Sequence, residues 1–301
     1  MYFCSYVLRL LPLFLMNGLY ESVVSRLLGV YAPGEARAVA RVLMEDGFGV
    51  TLTDIYAGKV RDFSPHELER LNSMTERLEK GEPVQYVVGR ALFGPLTFEV
   101  SPAVLIPRPE TWELVQWITG DLCGSSEFPA EGARVVDIGT GSGCIAVSIA
   151  KSVAGARVTA VDISGEALGV ARRNAVLNEA EVEFAECDIL APEWDVQGSF
   201  DVIVSNPPYV CRGEIGEMHC NVLGYEPHGA LFVDDSAPLV FYEAIARFAS
   251  ERLAAGGAVY VEINRRFGVE TADVFARHGF GNVELRRDSE NNPRMIKAKR
   301  M

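Results

Sequence analysis

Five consecutive residues, Ser205-Asn206-Pro207-Pro208-Tyr209, carry the most specific chemistry in the 301-residue sequence. They follow Phe200-Asp201-Val202-Ile203-Val204, a short apolar run that reads as a strand. Proline cannot donate to a sheet ladder, so the chain must leave the sheet here. The residue before a proline is kept out of the helical region, which restricts the Asn206 backbone. Two prolines in a row lack N–H groups and leave carbonyl acceptors with no local donor. Such a segment suits one kind of substrate group, an NH2 on an sp2 carbon. The Asn206 side-chain oxygen can accept one N–H and the Pro207 carbonyl the other. That nitrogen is a poor nucleophile because its lone pair is delocalised. Held by both hydrogens, beside Pro208, it can turn the pair toward an electrophile. Catalysis would then be positioning plus electrostatic stabilisation, without a general base, since an alkylated nitrogen of this type sheds its proton easily. Tyr209 can stack on a flat amide or base. Taken alone, the segment could also be a proline-rich turn with Tyr209 as core.

A second constellation lies upstream. Gly139-Thr140-Gly141-Ser142-Gly143 follows the apolar run Arg134-Val135-Val136-Asp137-Ile138 and opens a helix. Glycines are needed where a chain turns sharply and where backbone must approach a ligand. In an open α/β sheet, ligands bind at the carboxyl ends of the strands. A cofactor loop is the expectation, with Asp137 and the loop residues as its first contacts. Asp162, about 20 residues on, ends the next strand, where an acid commonly accepts hydrogen bonds from ribose hydroxyls; the competing role is a helix N-cap near Ser164. Asp188 ends a third strand and can meet an adenine amino group, although aspartates are also common in turns. The loop alone fits either a nicotinamide dinucleotide or S-adenosylmethionine. A Walker A loop is excluded, because no Gly-Lys-Ser/Thr follows.

The elements that must hold these residues are legible in outline. Residues from about 111 onward alternate short apolar strands with helices: 134–138, 157–162, 182–188, 200–204 and 258–263, then two final strands near Val283-Glu284-Leu285 and Met295-Ile296-Lys297. That alternation predicts a doubly wound α/β domain with a mostly parallel, seven-stranded sheet covered on both faces. Residues 1–85 predict a small helical domain. Val39, Val42 and Leu43 lie at helical spacing, as do Leu68, Leu71, Met74, Thr75 and Leu78. Ser64-Pro65-His66-Glu67 is a helix start, with Ser as cap and Glu three residues later. Residues 86–110 are expected as a connector, with a hairpin turning at Gly94-Pro95.

Composition narrows the partners. The formal net charge is -13, and 49% of residues are apolar. Nucleic-acid binding draws on Lys and Arg neutralising phosphates, so direct contact with nucleic acid is not expected; a basic protein partner fits better. Six cysteines are scattered without a C-x-x-C pair or a histidine cluster, which points to a reducing, cytoplasmic setting and no metal site. The apolar segment 1–16 lacks a basic start and a small-residue cleavage site. It is expected as an ordinary helix or a mis-assigned start rather than a signal peptide. No later stretch is long and apolar enough to span a membrane.

Three stretches carry a family resemblance: Val104-Leu105-Ile106-Pro107-Arg108-Pro109-Glu110-Thr111, Val136-Asp137-Ile138-Gly139-Thr140-Gly141-Ser142-Gly143 and Val204-Ser205-Asn206-Pro207-Pro208-Tyr209, with Glu226-Pro227 and Ala230-Leu231 downstream. From about residue 30 to the end, the chain resembles the release-factor glutamine N5-methyltransferases, a class I S-adenosylmethionine-dependent family. The resemblance implies that the substrate is the glutamine of the Gly-Gly-Gln loop of peptide chain release factors, docked with help from the helical domain. It implies that Asn206 and Pro207 hold the glutamine amide beside Tyr209. It further implies that Gly139, Gly141, Gly143, Asp162 and Asp188 bind S-adenosylmethionine. The chain departs from the family pattern in three places. Trp112 stands where Glu is usual, Asn264 to Phe267 replace a Gly-x-x-Gln ending after Glu262, and Asn291 stands where Gly is usual.

Other readings explain less. An adenine-N6 DNA methyltransferase uses the same Asn-Pro-Pro-Tyr chemistry but must flip a base and grip phosphates, and no basic recognition domain is present. A relative acting on a ribosomal-protein glutamine differs only in target. An NAD-dependent dehydrogenase accounts for the glycine loop and leaves 205–209 unexplained; a non-catalytic nucleotide-binding module has no use for an intact Asn206, Pro207 and Tyr209.

Overall fold

A computed structural model describes residues 18–56, 63–124, 128, 132–194 and 196–300; the apolar segment 1–16 lies outside them. The chain divides into two compact units, Met1–Arg90 with His219–Tyr225, and Ala91–Met218 with Glu226–Met301.

The first unit is helical: α1 (18–27), α2 (Pro33–Phe48), α3 (Leu52–Tyr56), α4 (Pro65–Glu79) and α5 (Val84–Val88). The capping box opens α4 as its sequence dictates. Glu67 N–H donates to Ser64 Oγ at 3.3 Å, and Ser64 N–H donates to Glu67 Oε2 at 2.9 Å. Leu71, Met74, Thr75 and Leu78 form the buried face of α4, and the Thr75 hydroxyl is satisfied by the Leu71 carbonyl at 2.7 Å. Leu68 is 42% exposed, one turn too early for that stripe. In α2 the buried face is Ala36, Ala40, Leu43, Met44 and Phe48, with Val39 and Val42 on its flanks. A segment far away in sequence completes this unit: Tyr225 Oη donates to the Lys80 carbonyl at 2.9 Å.

The second unit begins with the expected hairpin, β1 (Arg90–Phe93) and β2 (Leu96–Glu99). Phe93 and Phe98 sink into the main core, so the hairpin belongs to the larger unit. Helix α6 (Pro109–Gly124) follows. Then strands and helices alternate: β3 (Arg134–Ile138), α7 (Cys144–Ser152), β4 (Arg157–Asp162), α8 (Gly165–Leu177), β5 (Val182–Glu186), β6 (Phe200–Ser205) and the short β7 (Val210–Cys211). After α9 (Cys220–Tyr225), which lies in the first unit, come α10 (His228–Leu231), β8 (Phe232–Val233), α11 (Val240–Arg252), β9 (Leu253–Glu262), α12 (Gly268–Arg277), β10 (Phe280–Arg287) and β11 (Pro293–Arg300).

Seven strands form one sheet in the order β10-β11-β9-β6-β3-β4-β5, and only β11 runs against its neighbours. The period of two along each strand separates two cores. Val135, Val202, Val204 and Tyr260 face α6 and α7, while Val136, Ile203, Val259 and Val261 face α11 and α12. The central strand β6 is buried along its whole length. The chain order reverses beside β3, because β4 and β6 flank it on opposite sides. The carboxyl ends of β3, β4 and β6 therefore open a crevice at the switch point, where such sheets bind ligands.

Candidate active site

Backbone geometry builds the floor of that crevice. Gly139 N–H and Thr140 N–H both donate to the Val161 carbonyl, at 2.8 and 2.9 Å, pinning the glycine loop to the end of β4. Gly141 has φ +56 and Gly143 φ +80, left-handed values that disfavour any side chain. Their surroundings differ. A Cβ on Gly141 would meet nothing within 4 Å, whereas one on Gly143 would lie 3.1 Å from Ala171 Cβ on α8. Gly141 thus keeps a space open and Gly143 lets two helices close together. Asn174, fully buried on α8, ties the loop to the hairpin: its Nδ2 donates to the Ser142 and Glu99 carbonyls, each at 2.9 Å.

Above this floor lies a cavity of about 470 Å³, within the range of small-molecule sites. Gly139, Thr140, Gly141, Ser142, Asp162, Asp188, Asn206, Pro207 and Pro208 line it. Asp162 spans two loops: Gly141 N–H donates to its Oδ2 at 2.8 Å and Ser164 N–H to its Oδ1 at 2.9 Å. The N-cap of α8 is Ser164 itself, whose hydroxyl accepts from Ala167 N–H, so Asp162 is not used as a cap. Asp188 closes a short turn by accepting from Leu190 N–H at 2.9 Å.

Three residues expected at the site stand behind its wall. Gly143 is one, as described. Asp137 is fully buried under the loop, where its Oδ2 accepts from Thr140 Oγ1 at 2.6 Å and from Ala146 N–H at 3.2 Å. Burial pushes its carboxyl up to about 7, and Asp162 adds to the rise. Its Oδ1 is buried with no partner among the described residues. Tyr209 packs its ring against the core beneath the sheet, and its hydroxyl donates to Glu262 Oε1 at 2.8 Å. Cys144 does line the cavity, but burial pushes its thiol up to about 12, which leaves no thiolate for nucleophilic chemistry.

Asn206 is held from one side only. Its Nδ2 donates to Thr111 Oγ1 at 3.1 Å, and Thr111 in turn donates to Glu262 Oε2 at 2.6 Å. Asn206 Oδ1 and the Pro207 carbonyl form no hydrogen bond among the described residues. Spacing gave no sign of Thr111 or Glu262 as site residues, because 151 positions separate them. Glu226 carried part of the family resemblance, but its role was not legible. Buried, it accepts from Arg108 Nη2 at 2.5 Å and from Ile106 N–H at 3.2 Å, which fixes the chain around the lining residues Pro107 and Arg108. The three departures from the family pattern also find local reasons. Trp112 packs on the Phe93 ring, 5.4 Å between centroids, and lies so close over Gly94 that a Cβ there would sit 2.6 Å away. Asn264 donates to the Tyr209 carbonyl and to Glu214 Oε2, at 3.0 and 2.7 Å. Asn291 takes φ +66, the left-handed turn that explains glycine there and that Asn tolerates.

Comparison with known proteins agrees with this architecture. Residues 125–221 match the Methyltransferase small domain family and residues 21–89 match the PrmC N-terminal domain family. A release factor glutamine methyltransferase from Bacteroides thetaiotaomicron is 41% identical over 95% of this chain and 100% of its own. One from Flavobacterium psychrophilum is 40% identical over 91% of this chain and 95% of its own. A solved protein-(glutamine-N5) methyltransferase (release factor-specific) from Alicyclobacillus acidocaldarius is 31% identical, covering 67% of this chain and 99% of that one, with a TM-score of 0.40. Identity of this extent along nearly the whole length places the chain in the release factor glutamine methyltransferase family.

Proposed function

We propose that the protein transfers a methyl group from S-adenosylmethionine to the side-chain amide nitrogen of a glutamine in peptide chain release factors, the glutamine of their Gly-Gly-Gln motif. One observation carries the chemistry. Asn206 is gripped by its Nδ2 alone, and its Oδ1 and the Pro207 carbonyl, on two adjacent residues that line the cavity, accept no hydrogen bond among the described residues. Two acceptors on adjacent residues match the two N–H groups of a primary amide.

The residues present fit the cofactor. Gly139 and Gly141 keep open the space that a Cβ would enter. Asp162 and Asp188 give the wall a negative charge suited to a cationic guest. When bound, S-adenosylmethionine supplies a methyl group on a positively charged sulfur. Each Asp162 oxygen keeps a lone pair for a ribose hydroxyl, and Asp188 is assigned the adenine amino group. The loop backbone at Gly139 to Ser142 holds the remainder. Asn206 and Pro207 fix the amide plane, so the nitrogen lone pair is turned into the cavity. Tyr209 acts from behind, bracing the segment rather than stacking on the substrate. The helical first unit is assigned the docking of the release factor, in keeping with its match to the PrmC N-terminal domain.

The test is to incubate the protein with isotope-labelled S-adenosylmethionine and purified release factors, then locate the label by mass spectrometry. The label is expected on the Gly-Gly-Gln glutamine. Asn206→Ala is expected to cut turnover by about a hundredfold or more while cofactor affinity in calorimetry stays near wild type. Label on another residue, or equal losses in both quantities, would overturn the assignment.

A further inference from the structure

The hydroxyl of Thr111 has one proton. It is placed between Glu262 Oε2, at 2.6 Å, and Asn206 Nδ2, at 3.1 Å. Glu262 is 1% exposed at the end of β9 and carries a second hydroxyl, that of Tyr209, on its other oxygen at 2.8 Å. With Glu262 ionised, counting donors sets the direction of every bond. An ionised carboxylate only accepts, so Thr111 and Tyr209 must both donate to Glu262. Thr111 then has no proton left for Asn206 and can only accept from it. The Asn206 amide is therefore locked with its NH2 toward Thr111 and its oxygen toward the cavity.

We infer that Glu262, acting through Thr111, is a positioning residue that fixes which face of the Asn206 amide meets the substrate. The inference rests on the proposed reaction only for its consequence in turnover. The relay itself stands on the four residues and their distances. Without it, the two faces of an Asn side chain differ little in shape, and a flipped Asn206 would point an NH2 at the substrate NH2. Burial raises the Glu262 carboxyl above its ordinary value; the Thr111 and Tyr209 hydroxyls and then Arg294 work the other way, in favour of the charged form.

Glu262→Gln reverses the relay with almost no change in volume. A Gln NH2 must then face Thr111 or Tyr209. Facing Thr111, it turns the threonine proton toward Asn206, which can answer by flipping; the half-buried Tyr209 hydroxyl has no second acceptor among the described residues. Thr111→Val removes the relay from the other end, and Thr111→Ser retains it.

Two readouts on the full-length protein test this. The first needs no substrate: the Asn206 side-chain NH2 resonances in an isotope-labelled sample, assigned by their absence in Asn206→Asp. In the wild type they are expected to exchange slowly and to show contact with the Thr111 methyl group. Both features are expected to vanish in Glu262→Gln and Thr111→Val and to persist, apart from the methyl contact, as slow exchange in Thr111→Ser. The second is kinetic. Turnover on a release factor is expected to fall about ten- to a hundredfold in Glu262→Gln and Thr111→Val, the scale seen when an orienting partner behind a ligating side chain is removed. S-adenosylmethionine affinity is expected to hold, and Thr111→Ser to stay near wild type. Unchanged Asn206 resonances in both disrupting variants would overturn the inference, whatever the release factor shows. If wild type leaves the release factor unmodified, the proposed function fails, and the resonances still decide the relay. If Glu262→Gln does not fold, Thr111→Val supplies both readouts.

Discussion

Gly141 and Gly143 share a loop and a left-handed backbone, yet alanine at the two positions should do different things. Either substitution forces a Cβ into positive φ, at about 1–2 kcal/mol. For Gly141→Ala that is the whole cost to the cofactor-free protein, since nothing lies within 4 Å of the new atom. Gly143→Ala adds a collision with α8, 3.1 Å from Ala171 Cβ and 3.3 Å from Ala171 Cα. One of those atoms is backbone, so the helix must shift, and such overpacking costs about 1–3 kcal/mol more. All three tryptophans, Trp112, Trp117 and Trp194, lie in the second unit, so urea unfolding followed by tryptophan fluorescence reports that unit alone. With a slope of about 3 kcal/mol per molar urea, the Gly143→Ala midpoint should fall about 0.3–1 M below that of Gly141→Ala. Calorimetry should show the opposite ranking for the cofactor. Gly141→Ala, with its methyl group in the cavity, should weaken S-adenosylmethionine binding more than Gly143→Ala does. A Gly143→Ala midpoint equal to or above that of Gly141→Ala would refute the division of labour in the loop.

Further outcomes follow from the same geometry. Asp162→Ala should weaken S-adenosylmethionine at least tenfold in calorimetry, because it loses the ribose acceptor and also frees the Gly141 and Ser164 N–H groups; unchanged affinity would remove that role. Burial holds the Glu262 carboxyl above its ordinary value, opposed by the Thr111 and Tyr209 hydroxyls and by Arg294. Protonation lets Glu262 donate to Thr111 and unlocks Asn206, so turnover should fall as pH drops through that raised value, and this acid limb should be missing in Glu262→Gln. Asp137 titrates near pH 7 when folded and at about 3.9 when unfolded. The folded state therefore holds the extra proton between those values, and this contribution to stability is present at low pH and lost as pH rises toward 7. In Asp137→Asn that loss should be absent, so its unfolding free energy should gain on wild type by about 1.4 kcal/mol per pH unit from pH 5 to 7 and level off above. A constant difference across that range would place the Asp137 titration elsewhere.

The sheet and its loops were legible because strands and helices differ in period and because Pro, Gly and strand-end acids mark where the chain turns. Ser64 to Glu67, Gly94-Pro95 and Gly139 to Gly143 each appear where their chemistry requires. Residues that act through contact across long sequence separations were not legible. Thr111 and Glu262 meet only because α6 and β9 are neighbours in space, and Glu226 reaches Ile106 across 120 positions. Position along the strand separates the two acids: Ile138 still follows Asp137 in β3, whereas Asp162 is the last residue of β4. An acid one residue inside the strand braces the loop from beneath, and one at the terminus reaches the opening. Residues 219–225 resisted assignment altogether, because nothing in Cys220 to Tyr225 marks them as belonging with helices more than 130 positions earlier.

That excursion has a practical consequence for anyone dissecting the molecule. The polypeptide passes between the two units three times, near residues 90, 218 and 225, so a single cut cannot yield both as autonomous fragments. A truncation starting at residue 91 would strand α9 and leave Tyr225 without the Lys80 carbonyl it caps. A fragment ending at residue 90 would lose the Tyr225 hydroxyl from the Lys80 carbonyl. Clean separation needs a second edit, replacing 219–225 by a short polar bridge in the larger unit.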